Sequence, residues 1–354
     1  MSDAAYGSRS SSHWIGAGPA AAHPVLRPLA ELMAGRERLA VLPTPLHHAP
    51  RVSAALGREI WLKRDDLTGT GLGGNKIRKL ELLAAQARDA GADTLVSVGA
   101  PQSNHARTVA AVAARLQLDC HLVLGGHAPE TPSGNLLLDE LMGATLHWAG
   151  THDWQGLAAA SAEVTAHLQG AGRRVFAIPV GGSVPIGTAA FVAAYLELVV
   201  QCAEHGLAPS AVFHASSSAG TQAGLHLGAV LAGALLDGVA PQVIGVDVAR
   251  ISDSLADTVA GLATRTADLL GVAGIWRDAQ AAPTVLEAYL GPGYAAPSPG
   301  SGAALRLLAR TEGVILDPVY SAKAFHAVCD SDRPGPIVFW HTGGVPALFA
   351  VGEL

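Results

Sequence analysis

Short runs of β-branched and other apolar residues alternate along the chain with longer Ala/Leu-rich stretches. The runs at 60–63, 94–98, 121–124, 145–148, 175–180, 212–215, 243–248 and 337–341 are predicted as strands, and the stretches at 107–116, 189–202 and 303–311 as helices. Within each run the apolar residues are continuous instead of alternating with polar ones, the pattern of strands covered on both faces. Strand–helix alternation over this length predicts an α/β fold of parallel sheets flanked by helices. No internal repeat and no obvious interdomain linker interrupts it. In such folds ligands gather beyond the carboxyl ends of the strands, at glycine-rich turns. Four turns of that kind follow strands, at 69–76, 99–105, 216–224 and 341–346, and one pocket could collect all four.

Composition narrows the class. A chain of 354 residues, 49% apolar and 15% charged, suits two packed lobes of a globular protein. The net charge of −6 and the absence of a Lys/Arg run argue against nucleic acid or an anionic membrane as partner. Cys120, Cys202 and Cys329 are odd in number and far apart. They outline neither a disulfide framework nor a CxxC metal pair, and they read as small buried hydrophobes in a reducing cytoplasm. Residues 1–24, rich in Ser, Gly and Ala, have no basic n-region or continuous apolar h-region and are expected to be a disordered lead-in. No window offers the roughly 20 unbroken apolar residues of a membrane span.

Three of the turns carry candidate chemistry. In WLKRDDLTGTGLGGNKIRKLE a strand ends at Arg64-Asp65-Asp66, glycines follow, and Asn75-Lys76 opens a helix. A lysine that reacts covalently needs a rigid element beside backbone that a flat ring can approach. The plainer reading, a solvated lysine, puts a cation at the unfavourable end of the helix dipole. The same turn holds Gly69-x-Gly71-x-x-Gly74, the dinucleotide pattern. That fingerprint wants an acid about 20 residues on, at the end of the next strand. Asp93 has the separation but precedes its strand, so an NAD(P)-dependent oxidoreductase stands as the competing class. In the second turn Gln102-Ser103-Asn104-His105 precedes an Ala-rich helix. Capping accounts for one of these four polar residues, and the helix N-terminus with its donors suits a carboxylate. The third turn, Ser216 to Gly224, combines small residues, hydroxyls at Ser218 and Thr221 and a helix start, which suits a phosphate. It has no GK[ST], so it is not a nucleoside-triphosphate loop. His147, His152 and Asp153 are too loosely spaced to suggest a metal site.

Together and in this order, Arg64-Asp65-Asp66, Gly73-Gly74-Asn75-Lys76-x-Arg78-Lys79, Gln102-Ser103-Asn104-His105 and Ser218-Ala219-Gly220-Thr221 resemble the D-cysteine desulfhydrase and 1-aminocyclopropane-1-carboxylate deaminase family. Those are fold-type II pyridoxal 5′-phosphate (PLP) enzymes, relatives of the tryptophan synthase β-subunit. Pro43-Thr44-Pro45-Leu46, Gly293-Tyr294, Asp317-Pro318-Val319-Tyr320 and His341-Thr342-Gly343-Gly344 extend the resemblance from about residue 40 to the end. It implies two open parallel-sheet domains: a large PLP-binding domain of residues 25–78 and 186–354, and a smaller α/β domain of residues 79–185 with the substrate-carboxylate loop. It implies PLP on Lys76 as a Schiff base, Asn75 at the ring's 3-oxygen, and Ser218, Ala219, Gly220 and Thr221 around the phosphate. Ser103, Asn104 and His105 would face a small amino-acid substrate, Tyr294 and Tyr320 would line the pocket, and Thr342 would meet the pyridine nitrogen. Lys76, Ser103, Tyr294 and Tyr320 are the expected catalytic residues, and a homodimer is expected. This chain departs from the pattern at Ser217, where many relatives have Gly, at Pro101, and at Val184-Pro185. Residues 324–335 also look short and polar where relatives have more helix.

PLP is an electron sink, and the protein selects the bond that breaks. Lys76, freed by the substrate amine, would remove the Cα proton once burial lowers its proton affinity. In the deaminase branch a Glu follows the pocket tyrosine and a Leu precedes the paired glycines, where this chain has Ser321 and Thr342. Without that Glu the ring nitrogen has only a hydroxyl partner. This favours expulsion of a good leaving group, with desulfhydration of D-cysteine ahead of cyclopropane opening. L-Cysteate sulfo-lyase, a biosynthetic carbon–sulfur lyase and a non-catalytic ligand-binding relative remain open alternatives.

Overall fold

The computed structural model describes residues 23–236 and 240–350. Residues 1–22 of the expected lead-in lie outside the described residues. His23 and Pro24 belong to the folded part, where the His23 ring accepts from the Val25 N–H and caps the first helical turn.

Ten strands form two sheets. The larger contains β1 (Leu46–His48), β2 (Ile60–Arg64), β7 (Ala211–Ser216), β8 (Gln242–Asp247), β9 (Thr284–Leu286) and β10 (Ile337–His341), in the order β1-β2-β10-β7-β8-β9. The smaller contains β3 (Thr94–Gly99), β4 (Asp119–Leu124), β5 (Thr145–Trp148) and β6 (Val175–Ile178), in the order β5-β4-β3-β6. All pairings are parallel except that of the edge strand β1 with β2. The α/β expectation with two parallel sheets therefore holds.

Why these segments pair is visible in their side chains. β10 (IVFWH) lies between β2 and β7 and is buried along its whole length. Helices Pro185–Glu204, Gly220–Leu235 and Leu255–Leu269 cover one face of the large sheet. Pro299–Glu312 and Ser321–Asp330 cover the other. The small sheet packs its apolar residues against Lys76–Asp89 and Asn104–Leu116. Pro185–Glu204 is long and apolar enough by composition to cross a membrane, but most of it is buried among its neighbours, as in a core helix.

Several sequence expectations need correction. β1 and β9, three residues each, are too short to show a period. The strand expected at 175–180 ends at Ile178 and passes into a 3-10 turn at Val180–Gly182. The stretch at 324–335, read as short and polar, begins with most of the Ser321–Asp330 helix, which buries Ala324, Phe325, Ala327 and Val328 against the sheet. Its apolar residues lie on one helical face, which a composition average conceals. Cys329 is partly exposed, whereas Cys120 and Cys202 are buried as expected.

A buried ion network anchors the helix that begins at Lys76. Arg78 donates to both oxygens of Asp65 and of Glu197 and to the Thr44 hydroxyl, at 2.9–3.1 Å. Lys63 donates to Glu197, to the Gln201 side-chain oxygen and to the Thr44 carbonyl. Two cations and two carboxylates thus balance one another, all 9% exposed or less. Arg64 pairs instead with Asp66.

Candidate active site

The four glycine-rich turns converge. One cavity is lined by Asn75 and Lys76, by Ser103, Asn104 and His105, by Ser217, Ser218, Ala219 and Thr221, and by Thr342. Tyr294 and Tyr320 close a further wall, and no carboxylate is among the described lining residues. Gly220, although part of the 218–221 turn, is buried behind that surface.

The lysine turn is built backbone on backbone. Asn75 N–H donates to the Thr342 carbonyl at 2.9 Å. A Cβ on Gly343 would stand 2.6 Å from Gly74 Cα, so the turn before Lys76 and the turn after β10 require glycines where they touch. Lys76 Nζ donates to Asn75 Oδ1 at 2.9 Å, and Asn75 Nδ2 donates to Thr221 Oγ1 at 3.1 Å. Asn75 thereby joins the lysine to the 218–221 turn. Withdrawal from water, helped by the Arg107 guanidinium, lowers the Lys76 ammonium to about 8 against the opposing pull of Asp317 and Asp65.

The 218–221 turn has the form of an anion cradle. Ala219 adopts φ 64°, a left-handed conformation that costs a side-chain-bearing residue energy, at the start of the Gly220–Leu235 helix. No acceptor is found among the described residues for the N–H groups of Ser218, Ala219 or Thr221. Ser183 Oγ donates to Ser218 Oγ at 2.9 Å. Lys79 Nζ donates to the Gly181 carbonyl at 3.0 Å and lies against Gly220, where a Cβ would come within 2.6 Å of it. Burial, and then Lys76, hold the Lys79 ammonium well below its usual range. The motif alone does not single out Lys79. Its i, i+3 spacing from Lys76 puts both amines on one helical face, and that spacing is the legible signal.

On the opposite side Ser103 accepts from the Ala106 N–H at 3.2 Å, so the capping reading of this residue is correct. Asn104 Oδ1 accepts from Asn135 Nδ2 at 3.0 Å. His105 Nε2 meets Ser97 Oγ at 3.0 Å while Nδ1 has no partner among the described residues. Burial, with Lys76 and Lys79 nearby, lowers this imidazole to about 3 and keeps it neutral. Tyr294 and Tyr320 share a short hydroxyl–hydroxyl hydrogen bond, and burial raises both phenols. Trp154, at the start of the Trp154–Gly170 helix, and Ile251, from a loop, also reach the cavity, neither within a readable motif.

Ser321 does not line the cavity. It is the first residue of its helix, and its hydroxyl donates to an Asp317 oxygen at 2.5 Å and accepts from the Asp317 N–H at 2.8 Å. The dinucleotide reading of Gly69–Gly74 fails on topology. Its fingerprint requires a βαβ unit, yet β2 and β3, on either side of that helix, belong to different sheets.

The residues present fit PLP. The cavity combines unaccepted N–H groups and hydroxyls in a small-residue turn with the buried Lys79 amine behind it, and a lysine whose proton affinity is lowered lies beside the Asn75 amide. Comparison with known proteins agrees. The model of the pyridoxal-phosphate dependent enzyme family matches residues 37–343. A D-cysteine desulfhydrase of Klebsiella pneumoniae is 43% identical over 322 residues, covering 87% of this chain and 93% of the relative. One of Yersinia pestis is 42% identical over 320 residues, with the same coverage. Among solved structures, an ACC deaminase homologue is 35% identical, with a TM-score of 0.83 over 93% of this chain and 98% of that one. Maize serine racemase shares the fold at 16% identity, with a TM-score of 0.59 over 90% of this chain and 93% of that one. With the cavity and this match, the chain belongs to the pyridoxal-phosphate dependent enzymes, and pyridoxal 5′-phosphate is its cofactor.

Proposed function

We propose that the protein is a β-eliminating lyase that converts D-cysteine and water to pyruvate, hydrogen sulfide and ammonia. The carrying observation is the absence of any carboxylate among the described residues lining the cavity, with Thr342 as the polar side chain from the turn after β10. A hydroxyl there gives the ring nitrogen a neutral partner, which suffices for expelling sulfide and serves poorly for opening a cyclopropane. The 41–43% identity to D-cysteine desulfhydrases supports the same substrate.

In this reading residues 25–78 and 186–354 form the PLP-binding domain and residues 79–185 the domain that closes over the substrate. When bound, the cofactor accepts the electron pair left at Cα. Lys76 holds the cofactor and takes the Cα proton at Nζ, and Asn75 orients that amine. Ser218, Ala219, Gly220 and Thr221 bind the phosphate, with Lys79 behind them. Ser103, Asn104 and His105 receive the substrate carboxylate; His105, being neutral, adds no charge. The Tyr294–Tyr320 pair, held protonated, can give a proton to the departing sulfur. We further propose a cytoplasmic homodimer. The three unpaired cysteines support the compartment, and the exposed Leu72, Leu137 and Phe349 around an apolar groove support a second copy.

The test is a side-by-side assay of sulfide and pyruvate from D-cysteine, sulfite from L-cysteate, and 2-oxobutyrate from the cyclopropane amino acid. D-Cysteine is expected to show the highest kcat/KM. A higher value for the cyclopropane substrate would refute the proposal and favour the reading suggested by the 35% identical deaminase homologue.

The phosphate assignment has its own test. In Gly220→Asp the new carboxylate would sit beside Lys79 and Ser183, engaging the cation and repelling a dianion. PLP affinity should fall about 100-fold or more, as read by titrating the visible absorbance of the folded variant. An unchanged Kd would place the phosphate elsewhere.

A further inference from the structure

Arg107, on the Asn104–Leu116 helix, has no exposed surface and does not line the cavity. Its Nη2 donates to the Gly73 carbonyl at 3.0 Å, in the turn that delivers Asn75 and Lys76. A Cβ on Gly74 would lie 3.6 Å from the same nitrogen. The remaining donors, Nε and Nη1, have no hydrogen-bond partner among the described residues. The carboxylate acting on it, Asp139 of the Asn135–Leu141 helix, likewise has both oxygens buried without a partner. Burial pushes Asp139 up to about 8 despite the pull of Arg107. A guanidinium with no bonded counter-carboxylate is thus fastened from one sheet's helix to the lysine-bearing turn of the other.

We infer that Arg107 is a positioning residue for proton transfer at Lys76: its bond to Gly73 fixes the turn, and its uncompensated charge discourages a second positive charge on the Lys76 nitrogen. This rests on the reading that Lys76 carries the cofactor. Arg107 is the strongest charged neighbour opposing protonation of Lys76, while Asp317 and Asp65 favour it. Lys79 on the same helix, His105 on the Arg107 helix and His214 on β7 also face Lys76. The two histidines are held neutral by burial, and the phenols of Tyr294 and Tyr320 are held protonated. Of the three charged groups acting on Lys76, Arg107, Asp317 and Asp65, Arg107 is the one whose removal moves Lys76 upward.

The experiment is a pH titration of the holoenzyme's visible absorbance, beside the pH profile of kcat/KM, for wild type, Arg107→Gln and Arg107→Lys. Gln can still donate to Gly73 but carries no charge; Lys keeps the charge. In Arg107→Gln the pH at which the Lys76 nitrogen loses its proton should rise by roughly one unit, and the acid limb of kcat/KM should move with it. Arg107→Lys should restore the wild-type midpoint within about 0.3 unit, even if its thermal midpoint falls. An unmoved midpoint in Arg107→Gln, or an equal shift in both variants, overturns the inference and leaves Arg107 as packing. If wild type shows no lysine-linked absorbance band, the assignment of Lys76 itself fails and this inference with it. Should Arg107→Gln not fold, Arg107→Lys with Asp139→Asn decides. That pair removes the opposing carboxylate and keeps the cation, so its midpoint should match or lie below that of wild type. A higher midpoint overturns the inference.

Discussion

Replacing Lys76 by alanine is expected to abolish the lysine-linked absorbance of the cofactor and to lower turnover by about 10³-fold or more. The magnitude follows from two losses at one atom. The variant has no amine to hold the cofactor in register, and no base at the position from which a Cα proton can be taken, a contribution typically worth about 10²–10⁴-fold by itself. The structure makes the amine suited to both tasks. It is held by Asn75 Oδ1 at 2.9 Å, and burial and Arg107 lower its proton affinity to about 8. Folding should survive, because the helix begins on glycine-turn hydrogen bonds and on Arg78, none of which involves the lysine side chain. Borohydride treatment followed by peptide mass analysis gives the answer. Label on Lys76 in wild type and none in the variant is the expected result. Label transferred to another lysine, with turnover within tenfold of wild type, would show that Lys76 is not the attachment point. Lys79, on the same helical face, is the residue to watch.

Arg78→Met is expected to destabilise the protein by about 3–5 kcal/mol, because breaking a buried pair leaves its partners charged in a dry interior. Here two carboxylates lose their shared cation, and Lys63 can neutralise only one of them. The pH dependence follows from Glu197. Arg78 and Lys63 hold this carboxyl at about 2 in the folded state, against an ordinary value of 4.5 and against the burial that would raise it. A depressed carboxylate stabilises the fold fully above its unfolded value and ceases to do so as pH falls through its folded value. The stability gap between wild type and variant, measured by urea unfolding, should therefore be widest above pH ~5 and narrow towards pH 2. A loss below 1 kcal/mol, or a gap independent of pH, would show that the network is energetically neutral. The double change Arg78→Met, Asp65→Asn should recover part of the loss, since Lys63 then balances Glu197 and no uncompensated carboxylate remains.

The legibility of this protein from its sequence was uneven, for physical reasons. The parallel sheets were readable because a strand buried on both faces is mostly apolar without a period of two, as β3, β7 and β10 are. The three-residue strands β1 and β9 were not, since their pairing depends on the neighbours they find. The lysine turn, the 102–105 turn and the 218–221 turn were legible because close approach to a flat ring and an anion demands glycines and hydroxyls in contiguous runs. Arg78, part of the same motif, proved to hold the helix in place by pairing with Asp65 and across to Glu197, 119 residues beyond it. No local pattern distinguishes a buried ion-pair cation from a cofactor ligand.

The sequence alone therefore determined the alternation of strands and helices and the residue make-up of three of its turns, the proposed cofactor lysine among them, because each is a property of adjacent residues. Only the tertiary structure decided that β2 and β3 part into different sheets, which removes the dinucleotide reading of Gly69–Gly74. It also placed Lys79 behind the 218–221 turn, turned Ser321 towards Asp317, and set Arg107 against Gly73. Those placements arise from segments distant in sequence that share one dry space, where charge and hydrogen bonding are settled by whichever neighbours the packing brings together.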